Sequence, residues 1–412
     1  MASPAVAGAS EENCNNNDSC IVEIPKELEP ELTGTKNIIY RVPRNLRKLK
    51  EAAYTLLISI GPFHHGKREL QAMEQNKKYY HDRFFLTRTT KSHDDLKTFI
   101  NDKCQEVCDS YAGTMKYDAC LILIEACFII ELFLTNYKRK DGQEKKDYIL
   151  RMEWLRKAIQ LDLILLENQL PYFLLECLYH DIKPEDKCEN GFLLLACSFF
   201  KEFCTRPGEN VQNIFNKMKE SDETTEGSGK KMKKIKHFTD LVRQLRLPIN
   251  LQTNPFQSGD NHLYSTTELD KAGVKLTSKC CCLGLEVPAL MLDDATELLF
   301  RNMIALEQCL YSDEAYICSY VALMSHLINT KEDADFLDEA GLFTRLSDEI
   351  SFSNFCYASY CKRLNNHYEK WFNRTWTKGK KVYFNDLWKT SSTVVGFFVL
   401  IFTITSLVKT IF

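Results

Sequence analysis

Three groups of polar residues in this sequence are of types that catalysis or metal binding uses. The first is the adjacent pair His64 and His65, in a loop that begins with Gly61 and Pro62. Imidazole titrates near neutral pH and binds metals, so the pair could transfer a proton or hold a cation. Adjacent histidines point in different directions, however, and no carboxylate or cysteine lies near them at ligand spacing. We therefore favour a structural loop over a site.

The second group is Glu167, Asn168 and Gln169, inside an apolar run that extends from residue 161 to 178. Pro171 interrupts this run and must break or kink its helix, because proline has no backbone N–H. The break frees carbonyl groups that Asn168 or Gln169 can bond. A buried polar group without a partner costs about 1–3 kcal/mol, so we expect these residues to be bonded structurally.

The third group is acidic and consists of Asp293, Asp294 and Glu297, at the start of a predicted helix. Such carboxylates could hold a divalent cation or act as a general acid and base. The positive end of the helix dipole alone also favours acids in a first turn. We favour this capping interpretation over a cation site.

Cysteine usage gives no metal site. Cys104 and Cys108 lie at i,i+4 spacing, but zinc sites need a second pair or a nearby histidine, so core packing is the better interpretation. The 17 cysteines are scattered, as is typical of small buried side chains in a reducing compartment.

No glycine-rich phosphate loop and no nucleophile elbow occurs in the sequence. We predict no catalytic residue, no cofactor and no metal. The net charge of −3 argues against nucleic acid as a partner.

The elements that must position these groups are mostly helices. Apolar residues recur at helical spacing, and Ser92 with Asp95 forms a helix-start pattern. Residues 119–134 are apolar nearly all round, but Glu125 and Glu131 argue for a buried central helix whose carboxylates find partners, and not for a membrane span. The predicted helices cover residues 70–84, 92–111, 119–134, 154–178 with its break, 237–247, 265–273, 293–310, 314–329, 331–340 with Gly341 as its stop, and 352–372. Residues 280–285 are the best place for a strand.

The C-terminal stretch Thr390–Val408 contains no charged residue. As a helix, about 19 residues span roughly the hydrocarbon core of a bilayer. The basic residues lie mostly before it, which predicts a cytoplasmic body, and aromatic residues precede it as at a membrane interface. These basic residues are Arg374, Lys378, Lys380, Lys381 and Lys389, against Lys409 behind the stretch. The alternative is a buried C-terminal helix of a soluble domain.

Together these features predict a mainly α protein with a multi-helix globular body, at most a small β element, and one C-terminal transmembrane helix. Residues 1–37 are predicted to be a flexible arm and residues 38–388 the helical body. A charged, glycine-containing insert at 217–236 is predicted to be mobile. Residues 389–412 form the predicted membrane anchor. The sequence does not distinguish the plasma membrane from an internal membrane.

Several blocks of sequence occur in an order that resembles one family. The blocks are Ile39-Tyr40-Arg41-Val42-Pro43, Ser59 to Gly66, Cys127 to Leu132, Leu166 to Pro171, Asp293 to Glu297, Arg301-Asn302 and Glu307-Gln308-Cys309. In this order they closely resemble the plant domain-of-unknown-function 247 family, also called uncharacterised protein family 0481. The sequence departs from the family pattern at Glu125-Ala126, where Asp-Gly is common, and at Cys280-Cys281-Cys282.

The resemblance implies a membrane-anchored plant protein that acts in recognition or signalling through protein contacts, as in the self-incompatibility of some relatives. The alternative is a membrane-tethered, hydrolase-like enzyme that uses His64, His65, Glu167 and Asp293. The two differ in one respect, since an enzyme needs these groups to meet within hydrogen-bond reach. Recognition is expected on segments free of packing constraints, namely the arm, the insert and the polar stretch 250–264.

Overall fold

The structure is a computed structural model. It describes residues 36–42, 56–113, 118–138, 147–182, 191–204, 212–213, 215–216, 234–247, 263–274, 294–328, 340–348, 350, 355–370, 375 and 387–411. The helices in these ranges are α1 Gln71–Thr87, α2 His93–Asp102, α3 Cys104–Asp109, α4 Ala119–Tyr137, α5 Tyr148–Arg151, α6 Glu153–Ile164, α7 Tyr172–Ile182, α8 Gly191–Phe199, α9 Lys201–Cys204, α10 Phe238–Arg246, α11 Thr266–Lys271, α12 Asp294–Leu310, α13 Tyr316–Leu327, α14 Ala340–Ser347, α15 Ala358–Glu369 and α16 Leu387–Ile411. The prediction of a mainly helical fold is confirmed.

Helix α4 is the centre of the body. Asp118 caps its first turn, because the carboxylate accepts hydrogen bonds from the backbone N–H groups of Cys120 and Leu121. The helix is buried on nearly every side, and α1, α2, α7 and α8 pack around it. By length and composition this helix could also cross a membrane. Its burial identifies it as the core helix that the sequence predicts.

The predicted helix over residues 92–111 is two helices. The Ser92 and Asp95 capping box is present as predicted, but α2 ends at Asp102 and α3 begins at Cys104. The N–H of Lys103 bonds the carbonyl of Ile100, which tightens the turn between them. The break turns the chain so that Tyr111, beyond α3, reaches the core.

The break at Pro171 is confirmed. Helix α6 ends at Ile164, residues 165–171 form an irregular connection, and α7 begins at Tyr172. The Tyr172 N–H bonds the carbonyl of Lys236, from the segment that leads into α10. Lys236 and its neighbours therefore belong to the body, although the sequence assigns residues 217–236 to a mobile insert. Ile235 is also buried there, and residues 217–233 lie outside the described residues.

The prediction that Gly341 ends a helix is wrong. Gly341 lies inside α14, which begins at Ala340, and residues 331–339 lie outside the described residues. The helix persists through the glycine because Phe343 and Leu346 are buried in the core cluster. Their burial outweighs the cost of glycine in a helix, which is about 1 kcal/mol. Helix α15 begins at Ala358, six residues later than predicted.

Within the described ranges, β structure consists of isolated bridges, and Ile39 and Tyr111 form a parallel one. The bridge holds the N-terminal segment Lys36–Val42, which we call the strap, against the end of α3. The N–H groups of Ile38 and Ile39 share the Ser110 carbonyl, and Ile39 is fully buried. Two residues of the predicted flexible arm, Lys36 and Asn37, thus belong to the strap. The strand predicted at 280–285 lies outside the described residues.

Helix α16 is apolar and its side chains from Val395 to Val408 are exposed. It has 25 residues, which corresponds to a length of about 38 Å. The hydroxyls of Thr403 and Thr405 donate hydrogen bonds to the carbonyls of Val399 and Ile401, one turn earlier. The polar groups of these two threonines are therefore bonded within the helix.

Candidate functional site: a polar junction at residues 162–169

The connection between α6 and α7 is a junction at which several segments meet. Asn168 is fully buried, and its side-chain oxygen accepts a hydrogen bond of 2.6 Å from the Ile60 N–H. Its amide nitrogen donates to the carbonyls of Ile58 and Asp162, at 3.0 and 2.9 Å. The whole amide is thus used to hold the segment around Ile60 on the end of α6.

Gln169 connects the junction to α10. Its amide nitrogen donates to the carbonyls of Leu163 and Leu165, and its side-chain oxygen accepts from the Phe238 N–H at 3.0 Å. The two carbonyls lie at the end of α6, where the break at Pro171 removes their helical partners. The prediction that Asn168 or Gln169 satisfies these carbonyls is confirmed.

Asp162 supplies a further connection to the segment before the histidine loop. One of its carboxylate oxygens accepts hydrogen bonds from the Leu57 and Ile58 N–H groups, both at 2.8 Å. Asp162 itself is fully buried. Hydrogen bonds from two N–H groups compensate for much of the cost of burying its charge.

Gly61 begins the histidine loop, Gly61–Gly66, and lies directly on the junction. Its φ is +74°, in the left-handed region. A Cβ atom on Gly61 would lie only 2.4 Å from the Gln169 carbonyl oxygen, which also accepts a 2.8 Å hydrogen bond from the Tyr111 hydroxyl. Only glycine fits this position, because any side chain would collide with that carbonyl.

His64 and Glu167 are brought together, which the sequence analysis did not expect. The His64 Nε2 lies 3.6 Å from one Glu167 oxygen, and the other oxygen accepts a 2.6 Å hydrogen bond from the Val42 N–H. Both side chains are largely buried. His65, by contrast, is exposed. The adjacent histidines therefore do point apart, and one of the two joins the junction.

Beneath the loop lies a buried cluster of charges. Glu125 on α4 accepts a 2.7 Å hydrogen bond from the Gly61 N–H and pairs at 3.0 Å with Lys77 on α1, and neither side chain is exposed. Lys77 also reaches Glu74 at 2.7 Å and Ser59 at 3.2 Å. Burial raises the pKa of Glu125 to about 7, although Lys77 and the Gly61 N–H act in the opposite direction.

The other carboxylate of α4 confirms the expectation that these acids find partners. Glu131 pairs with Arg83 and with Arg88, each at 2.7 Å. Arg83 continues to Asp147 at 3.0 Å, and Asp147 accepts a hydrogen bond from the Tyr80 hydroxyl. Burial and the nearby Asp147 raise the pKa of Tyr80, so the phenol stays protonated. The network joins α1, α4 and the start of α5.

A third ion pair lies in the second half of the body. Glu307 on α12 is fully buried, pairs with Arg243 on α10 at 2.8 Å and accepts hydrogen bonds from the N–H groups of Ile317 and Cys318. Burial raises the pKa of Glu307, and Arg243 opposes this shift. The carboxylate thus caps the start of α13 and ties three helices together.

The acidic group at the start of α12 forms no described cation site. Asp293 lies outside the described residues, and Asp294 is the first residue of α12 but its side chain is not described. Glu297 pairs with Arg301 at 2.8 Å and with Arg345 at 3.3 Å. Burial alone would raise the pKa of Glu297, but the two arginines lower it. Among the described residues, no group of three or more potential metal ligands occurs.

Four of the seven blocks that carry the family resemblance thus meet at one place. Val42, Ile60, His64 and Glu167 belong to three of them, and Asn302 from a fourth accepts a hydrogen bond from the Leu166 N–H at 2.9 Å. Most of these side chains bond backbone groups of another segment. The chemistry of the junction is therefore mainly the positioning of the strap and the histidine loop. His64 with Glu167 is the pair of titratable groups that comes closest to a proton-transfer arrangement.

Sequence reasoning missed Lys77 and Asp162. Lys77 had a signal, since Met73, Tyr80 and Phe84 mark the buried face of α1 and position 77 completes their spacing. A lysine on that face requires a buried carboxylate as its partner. Asp162 lies among apolar residues of α6 and had the same signal. In both cases the partner is distant in the sequence. Glu125 lies 48 residues after Lys77, and Ile58, whose N–H bonds Asp162, lies 104 residues before it.

Comparison with known proteins places the chain in one class. The profile of the DUF247 family, described as plant protein of unknown function, matches residues 39–402. The chain therefore belongs to this family, as its sequence blocks suggest. It is 25% identical over 422 aligned positions to the UPF0481 protein At3g47200 of Arabidopsis thaliana, covering 89% of this chain and 84% of that protein. No solved structure matches the chain.

Proposed function

We propose that this protein is a single-pass membrane protein whose helical body lies in the cytoplasm and acts in recognition or signalling through contacts with another protein. The observation that carries the proposal is helix α16, where every described side chain from Val395 to Val408 is exposed. A stretch of exposed, uncharged residues of this length is costly in water and favourable in lipid.

The hydrogen bonds of α16 support the same proposal. Thr403 and Thr405 would be costly in hydrocarbon if their hydroxyls had no partner. Both hydroxyls donate to carbonyls of the same helix, at 2.6 and 2.9 Å, which removes most of that cost. By composition alone the apolar part, Val395–Val408, is shorter than a full span. The uncharged residues from Thr390 to Val394 extend it to bilayer length.

The junction supports recognition over catalysis. Asn168 and Gln169 have their amides bonded to backbone groups, and Glu167 already accepts the Val42 N–H. These polar residues are occupied in fixing the strap and the segment before the histidine loop on the body. A rigid scaffold that presents loops is the usual arrangement of a protein that recognises a partner.

A tethered hydrolase-like enzyme is the second candidate. The approach of His64 to Glu167 within 3.6 Å is the observation in its favour, because a carboxylate can orient an imidazole for proton transfer. His65 is exposed, so of the two histidines only His64 approaches Glu167. Changing His64 to Gln would abolish turnover of any substrate if this candidate were correct, and would preserve partner binding under our proposal.

The anchor is tested by deleting residues 390–412 from the tagged protein. We expect the full chain to stay in the membrane pellet after carbonate extraction and the truncated chain to move to the soluble fraction. A matched control replaces Phe398, Leu400 and Phe402 with Leu, Phe and Leu, which keeps the helix apolar and should keep the protein in the pellet. Retention of the truncated chain in the carbonate-washed pellet would contradict the proposal.

A further inference from the structure

A basic surface surrounds the junction. Arg41 at the end of the strap is exposed, as are His65, Lys67 and Arg68 in and after the histidine loop. The Arg41 guanidinium lies 4.6 Å from the centre of the Phe63 ring, which ties the strap side of this surface to the loop side. We call Arg41, His65, Lys67 and Arg68 the basic surface.

No acidic residue occurs in the described segments 36–42 and 56–68, which form this surface, and the exposed Glu69 marks its edge. Glu167, from the junction, is largely buried and accepts the Val42 N–H while it approaches His64. Its charge is therefore directed inward. The chain as a whole has a net charge of −3, so two segments without any acid are a local departure from its composition.

The residues before the strap have the opposite charge. Residues 1–35 contain seven carboxylates and one lysine. Four of the carboxylates, Glu23, Glu27, Glu29 and Glu31, lie within 18 residues of Arg41 in the sequence. The strap is fixed on the body through Ser110 and Glu167. Its first residue, Lys36, pairs with Asp109 at 3.3 Å and lies five residues before Arg41, so the acidic arm precedes the basic surface closely in the sequence.

We propose that the acidic arm of this chain binds its own basic surface. Glu31 and Glu23 lie five and 13 residues before Lys36, the first residue of the fixed strap, so an extended chain carries them up to about 17 Å and 45 Å from it. A short tether gives an effective concentration in the millimolar range, which makes weak charge pairs sufficient. The arm thereby competes with any acidic partner for the histidine loop, and recognition at this loop requires its displacement.

Zero-length carbodiimide crosslinking of the full chain in detergent tests the contact directly. The reagent joins a carboxylate to a lysine amine in contact with it, and mass spectrometry identifies the pair. We expect Lys67 to crosslink to residues between Glu23 and Glu31, and the yield to fall several-fold in 0.5 M salt, where charges are screened beyond about 4 Å. Lys362, exposed on α15, is the matched control and should give little arm crosslink.

The design separates the arm of the same chain from that of a second copy. Mixing isotopically labelled and unlabelled protein would give mixed crosslinks if the arm bound a neighbouring molecule, and this result would overturn the proposal. Equal crosslinking of Lys67 and Lys362 would also overturn it. Replacing Lys67 with Arg removes the amine but keeps the charge, and should abolish only that crosslink.

Hydrogen exchange gives an independent readout. Neutralising the arm by Glu23→Gln, Glu27→Gln, Glu29→Gln and Glu31→Gln should speed exchange at residues 63–68 about three- to tenfold, as expected for a few exposed ion pairs. Reversing the surface by Arg41→Glu, Lys67→Glu and Arg68→Glu should have the same effect. In the variant with the reversed surface, changing the four arm glutamates to Lys should restore protection from exchange, because the arm and the surface then again have opposite charges. Unchanged exchange on neutralisation, or no restoration, would contradict the proposal.

Discussion

The side-chain amide of Asn168 bonds the backbone on both sides of Ser59, accepting from the Ile60 N–H at 2.6 Å and donating to the Ile58 carbonyl at 3.0 Å. Ile58 and Ile60 lie two residues apart in an extended segment, as do the backbone groups that a neighbouring β-strand would bond. The buried amide thus takes the place of such a strand. The segment before the histidine loop is therefore held by a side chain 108 residues away from Ile60, together with Asp162, which bonds the Leu57 and Ile58 N–H groups.

The first prediction concerns this amide. Replacing Asn168 with Leu leaves the Ile60 N–H and two carbonyls without their partner in the core, which should lower the free energy of unfolding by about 3 kcal/mol or more. Thermal unfolding of the detergent-solubilised chain, followed by circular dichroism, measures the change. Asn101→Leu, on the exposed face of α2, is the control and should cost less than about 0.5 kcal/mol. A variant of unchanged stability that lost partner binding would instead make Asn168 a recognition residue.

The second prediction concerns Gly61 and Gly66, which both have a positive φ, +74° and +80°. Gly66→Ala should cost about 1–2 kcal/mol, because nothing lies within 4 Å of its Cβ position and only the left-handed backbone is penalised. Gly61→Ala should cost clearly more, since its Cβ would lie 2.4 Å from the Gln169 carbonyl oxygen. Chemical denaturation of both variants measures the difference. Equal losses would show that the loop moves away from the junction at no cost.

The third prediction concerns pH. The pKa of Glu125 is raised to about 7 by burial, so the folded protein holds a proton that the unfolded chain releases near its usual value. The contribution of Glu125 to stability is therefore greatest below pH 4.5 and falls as pH rises to about 7, by on the order of 3 kcal/mol. Glu125→Gln should remove this loss, so its stability relative to the natural chain should increase between pH 5 and pH 8.

Comparison of variants is needed because other groups titrate in the same range. Burial raises the pKa of Glu307 and lowers that of His237 to about 4. Denaturant unfolding at several pH values, on the natural chain and the variant, cancels these contributions. Glu153→Gln, exposed at the start of α6, is the matched control for replacing a buried glutamate. A pH-independent difference between the natural chain and Glu125→Gln would show that Glu125 titrates normally.

The fourth prediction concerns topology. With the body in the cytoplasm, the glycosylation sequence Asn373-Arg374-Thr375 stays unmodified in a eukaryotic cell. An acceptor sequence appended after Phe412 should be modified, because the far end of α16 then faces the lumen. Glycosidase treatment followed by gel mobility measures both. A glycosidase-sensitive shift that disappears in Asn373→Gln would place the body on the lumenal side.

Local features of the fold could be predicted from the sequence. The capping box at Ser92, the break at Pro171 and the burial of α4 depend on residues within a few positions of one another. These features arise from interactions within one helical turn or from the backbone restriction of one proline. They can therefore be predicted from residues that are close in the sequence. Even the use of Asn168 and Gln169 to satisfy the end of α6 follows from the polarity of this short connection.

The partners of the buried charges were decided by tertiary structure. Glu167 contacts His64 and accepts a hydrogen bond from the Val42 N–H, and Val42 lies 125 residues earlier in the sequence. The Leu166 N–H donates to Asn302, which lies 136 residues later. Helix periodicity identifies which face of α1 or α12 is buried, but not which helix covers it. The convergence of four family blocks at residues 162–169, and the close approach of Gly61 to the Gln169 carbonyl oxygen, follow only from how the helices pack.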